Sequence, residues 1–126
     1  METINEITQS LTQREQQLLK DAIDCGFWGD GDYEFLNDKG EVEIDSMYGY
    51  CTNDAKNAGN FKGRVISAMF RSIYKKLCPN NGLGRYISHC SDWWGDGSGD
   101  MLFIRKSYVE AFETWANESI QSVSNN

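Results

Sequence analysis

The chain has 126 residues, of which 40% are hydrophobic and 13% aromatic, and it carries a formal net charge of −7. This composition is typical of one folded globular domain. No run approaches the 18 apolar residues of a membrane span, and the N-terminal METINEITQS lacks the basic-then-apolar pattern of a signal peptide. These features argue against secretion and membrane association, and we expect a cytoplasmic protein.

The first elements are a polar lead-in, over residues 1–10, and a helix over Thr12–Cys25. Thr12 and Glu15 match a capping box, in which each side chain accepts a hydrogen bond from the other residue's free amide. Leu18, Leu19, Ala22 and Ile23 then follow the helical period, and a glycine comes directly after Cys25.

An acidic hairpin is predicted next. After the turn-rich FWGDGD at 27–32, the strands Tyr33–Leu36 and Glu41–Ile44 flank the turn sequence Asn-Asp-Lys-Gly. Acidic residues also occupy positions 1, 3, 5 and 12 of a calcium loop, but Phe35 stands where that loop requires glycine. We therefore favour a hairpin without a metal ion.

The middle of the chain predicts two helices joined by a short turn. The first lies within Asp45–Ala58, capped by Asp45, Ser46 or Thr52, and ends at Gly59. The second is the central helix, Asn60–Leu77, with Asn60 as its N-cap. One side of the central helix is apolar, and the opposite side carries the row Arg64, Ala68, Arg71 and Lys75. Helix, short turn and helix is the helix-turn-helix pattern.

A second hairpin and a final helix complete the prediction. The β-type runs Arg85–Cys90 and Met101–Arg105 flank a long tip at 91–100. Ser107 and Glu110 suggest a capping box for the last helix, and residues 119–126 are expected to form a flexible tail.

The segment Lys62–Cys78 (KGRVISAMFRSIYKKLC), preceded by the Thr12–Cys25 helix and followed by a long β-hairpin, resembles the winged helix-turn-helix proteins of phages and mobile elements. In that family a comparable segment has a glycine near its start and paired lysines at its end, and Gly63 and the Lys75-Lys76 pair match this pattern. The similarity covers Leu11–Arg105. It implies an α+β fold of three to four helices with a β-hairpin wing, in one domain whose core is 11–118. The acidic hairpin would be an insertion.

The charge distribution favours a polyanion-binding face. Seven of the twelve basic residues and none of the nineteen acids lie within 55–91, so the rest of the chain carries −14. The resemblance and this asymmetry together predict a DNA-binding regulatory or accessory protein that acts on double-stranded DNA through the basic helix 60–77. We expect it to act as a homodimer on two half-sites. The predicted nucleic-acid contacts are Lys62, Arg64, Ser67, Arg71, Ser72, Lys75 and Arg85.

A protein-binding module is the alternative. Trp93 and Trp94 lie at the tip of the second hairpin, and exposed tryptophans are frequent anchors at protein interfaces. The neighbouring Asp92, Asp96 and Asp100 would repel phosphate, so this tip is not assigned to DNA. A phage-type inhibitor that presents its acidic surface to a basic nucleic-acid channel would use these features.

Catalysis, cofactor binding and metal binding are not predicted. The closest two of the four cysteines are twelve residues apart, which does not match a zinc knuckle. His89, the single histidine, adjoins Cys90 in a predicted strand, so the two side chains would point to opposite faces of the sheet. No phosphate loop, dinucleotide fingerprint or zinc-protease helix is present.

Overall fold

The structure is a computed structural model that describes residues 3–25, 28–92, 95 and 99–124. It confirms the α+β class. Within those residues no helix is long and apolar enough to cross a membrane. The elements in chain order are α1 Ile4–Thr8, α2 Gln13–Asp24, β1 Trp28–Leu36, β2 Val42–Cys51, α3 Thr52–Asn57, α4 Gly63–Leu77, β3 Ile87–Cys90, β4 Met101–Arg105, a 3₁₀ turn Lys106–Tyr108 and α5 Val109–Ser124.

Helix α2 forms as its capping pattern predicts. The Thr12 amide donates to Glu15 Oε1 at 2.8 Å, and the Glu15 amide donates to Thr12 Oγ1 at 3.1 Å. Cys25 is the C-cap. The apolar stripe that includes Leu18, Leu19 and Ala22 is buried. The local sequence therefore determines both where this helix begins and which of its faces enters the core.

The two predicted hairpins both form, but they belong to one antiparallel sheet with the strand order β1-β2-β4-β3. The second half of β2 pairs with β4, from Met47 opposite Arg105 to Cys51 opposite Met101. The expectation that the acidic hairpin is a separate insertion is therefore wrong. It supplies half of the sheet.

The sheet curls until its two edge strands meet. The Leu36 amide at the end of β1 donates to the Gly84 carbonyl at 2.9 Å, and Ser88 Oγ in β3 donates to the Glu34 carbonyl at 2.9 Å. Across the concave side the rings of Tyr33 and Phe103 stack at 4.1 Å. Strand alternation then divides the buried side chains into two cores, one on each face of the sheet.

The convex face is covered by helices, and the concave face encloses a smaller cluster. Tyr50, Leu102 and Ile104 point toward the helices and share one core with residues such as Phe70 and Phe112. The residues of the concave cluster are Phe35, Met47, Cys51, Met101 and Phe103.

Arg105 ties the curled sheet together at one end. Its Nε donates to Asp45 Oδ2 at 2.7 Å, and a second nitrogen lies 3.0 Å from a Glu43 carboxylate oxygen. Its Nη1 donates to the carbonyls of Leu36 and Arg85, each at 3.3 Å. The hydrogen bond from Arg105 holds the pKa of Asp45 below its usual value. One guanidinium therefore links β4, both strands of the acidic hairpin and the segment that enters β3.

Three expectations for the first half of the chain are corrected. The lead-in contains the short helix α1, in which the Thr3 hydroxyl accepts from the Glu6 amide. Strand β1 begins at Trp28, inside the stretch expected to be turns. Strand β2 continues to Cys51, so the helix expected within 45–58 is reduced to α3, with Cys51 rather than Asp45, Ser46 or Thr52 as its N-cap.

The final helix also differs from its prediction. A 3₁₀ turn at Lys106–Tyr108 precedes it, and Ser107 donates to Asp45 Oδ2 at 3.2 Å instead of capping the helix. Helix α5 continues to Ser124, well into the segment expected as a tail. The Ser107 hydroxyl is used to fasten the end of the sheet.

Candidate nucleic-acid interface

Helix α4 has the two faces that its sequence predicts. Ile66, Met69, Phe70 and Ile73 are buried in the core. The opposite row, which is Arg64, Ala68, Arg71 and Lys75, is exposed along its whole length. Three cationic side chains therefore project from one side of a helix of about four turns.

The three cations of this row, Arg64, Arg71 and Lys75, form no ion pair with any residue that the structure describes. By contrast, Lys76, one residue further along, lies with its Nζ 2.6 Å from Glu15 Oε1. The fold thus uses one lysine of the adjacent pair internally and leaves the other facing solvent.

The turn before α4 is fixed against α2. Helix α3 ends at Asn57 with Ala58 as its C-cap, Gly59 has a φ of +85°, and α4 begins after Lys62 as N-cap. Asn60, expected to cap α4, instead donates from Nδ2 to both carboxylate oxygens of Asp21, at 3.0 and 2.9 Å. Because Asp21 is itself buried in α2, the turn is held by α2.

Glu15 joins α2 to α4. Burial opposes ionisation of this carboxyl, but hydrogen bonds from Lys76, Ser72 and the Thr12 amide outweigh it, and the pKa of Glu15 is lowered. The predicted contact residue Ser72 therefore turns toward α2, and its hydroxyl is used within the fold. Ser67 is half-buried beside the exposed row, and Lys62 is exposed at the helix start.

Arg85 does not share the open position of the α4 row. It is half-buried and pairs with Asp38 in the turn of the acidic hairpin, with its guanidinium 5.7 Å from the Tyr86 ring. The sequence could not show this pairing, because the two residues are far apart along the chain. The structure brings Lys62, Arg64, Ser67, Arg71 and Lys75 together on α4 and directs Arg85 to the hairpin.

Arg14 is a basic residue that the sequence interpretation missed. It is exposed in the first turn of α2 and lies 5.5 Å from the centre of the Phe61 ring. Together with Arg64 it lines a groove of about 460 Å³ between α2 and α4. Its place beside the basic row depends on the packing of α2 against α4, so no local signal in the sequence could reveal it.

His89 and Cys90 point to opposite faces of β3, as predicted. The His89 ring stacks on Tyr74 at 4.0 Å on the helix side, whereas Cys90 packs with the concave cluster. Burial lowers the pKa of His89, although Asp100 lies 3.2 Å from Nε2 and opposes the shift. Within the described ranges no group of three or more His, Cys, Asp or Glu residues could hold a metal ion.

The structure describes only part of the tip of the second hairpin. Trp93 and Trp94, the predicted partner-binding residues, lie outside the described residues, as does Asp96. Asp100 contacts His89 and accepts from the Asp92 amide at 3.4 Å. At least one carboxylate of the acidic tip is therefore directed toward the protein.

Comparisons of the chain with protein-family models, with curated proteins and with solved structures gave no match.

Proposed function

We propose that this protein binds double-stranded DNA through the exposed side of α4 and acts as a regulatory or accessory factor. The observation that carries the proposal is the row Arg64, Arg71 and Lys75, which is exposed and unpaired within the described chain. A helix with one buried and one cationic side is suited to the major groove, which admits a single α-helix.

The spacing of the row suits a groove contact. Arg64 and Lys75 are eleven residues apart, which is about 16 Å along a helix. Arg64 and Arg71 can each pair with guanine O6 and N7, and Lys75 can neutralise a phosphate. Ser67 lies beside this row and Lys62 is exposed at the start of the helix, where each would contact the sugar-phosphate backbone.

The winged-helix architecture is part of this proposal. In it, α3, the turn at 58–62 and α4 form the helix-turn-helix, and β3 with β4 occupies the position of the wing. The Asn60–Asp21 contact supports this arrangement, because it fixes the entry to the recognition helix. The exposed Asp92 makes the wing unsuited to phosphate, so the DNA contact is confined to α4.

The test is fluorescence anisotropy with a labelled random-sequence duplex at low salt. We expect the wild-type protein to bind and the double variant Arg71→Glu/Lys75→Glu to lose binding, because two attractive charges become repulsive. Lys39→Glu is the control: it reverses one exposed charge in the hairpin turn, away from α4, and should leave affinity unchanged. Equal binding by the wild type and the double variant would refute the proposal.

A further inference from the structure

The outer part of the acidic hairpin presents an apolar pair between carboxylates. Val42 and Ile44 are large hydrophobic residues of the described chain, and they are 54% and 71% exposed. In the strand register Ile44 lies opposite Glu34, and Val42 lies opposite Leu36. Asp32, two residues before Glu34, is on the same face. We name this surface the hairpin patch, and its residues are Asp32, Glu34, Leu36, Val42 and Ile44.

The hairpin patch is exposed because β2 is longer than its partner on the other side. Strand β4 pairs only with Met47–Cys51, so the first half of β2 extends beyond it with β1 alone. On the face that carries Val42 and Ile44, the helices cover Tyr50 fully and Tyr48 partly, but they leave these two residues open. A single exposed apolar side chain is common on protein surfaces. Two neighbouring ones on the same face of a strand, such as Val42 and Ile44, are more typical of a protein–protein interface.

The groove between α2 and α4 has the opposite chemistry. Val65, Ala68 and Met69 supply apolar lining, and Arg14 and Arg64 supply two positive charges. Glu15 also lines the groove, but its carboxylate is engaged by Lys76. The groove of about 460 Å³ is therefore apolar and cationic, whereas the hairpin patch is apolar and anionic.

We propose that the hairpin patch of one copy docks into the α2–α4 groove of a second copy. Ile44 and Val42 would lie against Val65 and Met69, while Asp32 and Glu34 would face Arg14 and Arg64. The apolar side chains of the hairpin patch would meet apolar side chains of the groove, and its two negative charges would meet two positive charges. Opposite charges around an apolar centre fix the relative orientation of two partners, and they disfavour partners that carry like charges at those positions.

A reciprocal pair of these contacts makes a closed homodimer. Each copy offers one hairpin patch and one groove, so an arrangement with two-fold symmetry satisfies both at once. Arg71 and Lys75 do not line the groove and would stay open in the dimer. Arg64 would face the partner's carboxylates, so it could not contact DNA at the same time, and Arg71 and Lys75 would be the cations of the row left for DNA. The inference goes beyond DNA binding, and the mass of the protein in solution tests it without DNA.

Sedimentation velocity over a concentration series tests the dimer. We expect the wild-type chain to approach twice its monomer mass of 14.4 kDa as concentration rises. Ile44→Lys and Arg64→Glu should each keep it monomeric, while Arg71→Glu and Lys39→Glu should leave it dimeric. Circular dichroism would check that each variant is folded. A wild type that stays monomeric throughout would overturn the proposal.

A charge exchange tests the orientation of the contact. The variants Arg14→Glu/Arg64→Glu and Asp32→Arg/Glu34→Arg should each be monomeric alone. When the two are mixed, one contact has its wild-type charges and the other has them exchanged, so a heterodimer should form. If the mixture stays monomeric, or if either variant alone dimerises like the wild type, the assigned surfaces are wrong.

Discussion

Glu15 connects the start of α2 to the end of α4. It is almost fully buried, caps α2 through Thr12, and forms a 2.6 Å ion pair with Lys76. A carboxylate so placed remains ionised because its partners offset the cost of burial. The same residue therefore begins one helix and aligns the basic helix against it.

Glu15→Ala should lower the free energy of unfolding by about 2 kcal/mol, because it removes a helix cap and the buried carboxylate of an ion pair whose lysine is partly exposed to solvent. Urea denaturation measures this. Glu113→Ala, on the exposed side of α5, is the control and should change stability by less than about 0.5 kcal/mol. A similar small effect of both variants would show that the Glu15–Lys76 pair carries no net stability.

His89 should make the protein less stable as pH falls below neutrality. Burial lowers its pKa, so between the folded value and the ordinary value of about 6.5 only the unfolded chain binds the proton. Stability is then lost as pH decreases through that window. His89→Phe, which retains a ring against Tyr74, should have a flatter profile of urea midpoint between about pH 7.5 and 5.5. An unchanged slope would contradict this assignment.

Among the elements, the turn at 58–62 sets how α4 is presented. Gly59 has a φ of +85°, and a Cβ there would meet no atom within 4 Å, so substitution has only a conformational cost. Gly63, in the first turn of α4, also has open space around it but shows no positive φ. The two glycines therefore differ in backbone conformation and not in packing.

This difference predicts opposite effects of the same substitution. Gly59→Ala should destabilise the fold by about 1 kcal/mol, because an L side chain is strained in the left-handed region. Gly63→Ala should stabilise it by about 0.5 kcal/mol through its higher helix propensity. Thermal unfolding of the pair measures both, and two changes of the same sign would contradict the assigned conformations.

Elements with strong local signals were predictable from the sequence. The Thr12–Glu15 capping box located α2, and the apolar period of α4 identified its exposed row. The second half of β2 was mistaken for a helix because its sequence, SMYGYC, has no clear period, and its strand conformation is fixed by pairing with β4. The pairing of Arg85 with Asp38 and the curl of the sheet depend on long-range contacts that no local pattern encodes.

At the scale of the whole molecule, the separation of basic and acidic residues along the sequence leads to a separation of charge on the surface. The acidic hairpin pairs with Arg85 and Arg105, and α2 pairs with Lys76, but Arg64, Arg71 and Lys75 form no ion pair within the described part of the chain. A protein of net charge −7 can therefore still present a local cationic surface. The proposed DNA contact depends on that surface remaining open.

The salt dependence of duplex binding tests this account most directly. If Lys62, Arg71 and Lys75 each neutralise a phosphate, log Kobs against log salt should have a slope of about −3, and the neutral double variant Arg71→Gln/Lys75→Gln should reduce the magnitude of that slope by about 2. Lys39→Glu should leave the slope unchanged. A wild-type slope near zero, or the same slope in the double variant, would contradict the claim that the open side of α4 binds DNA.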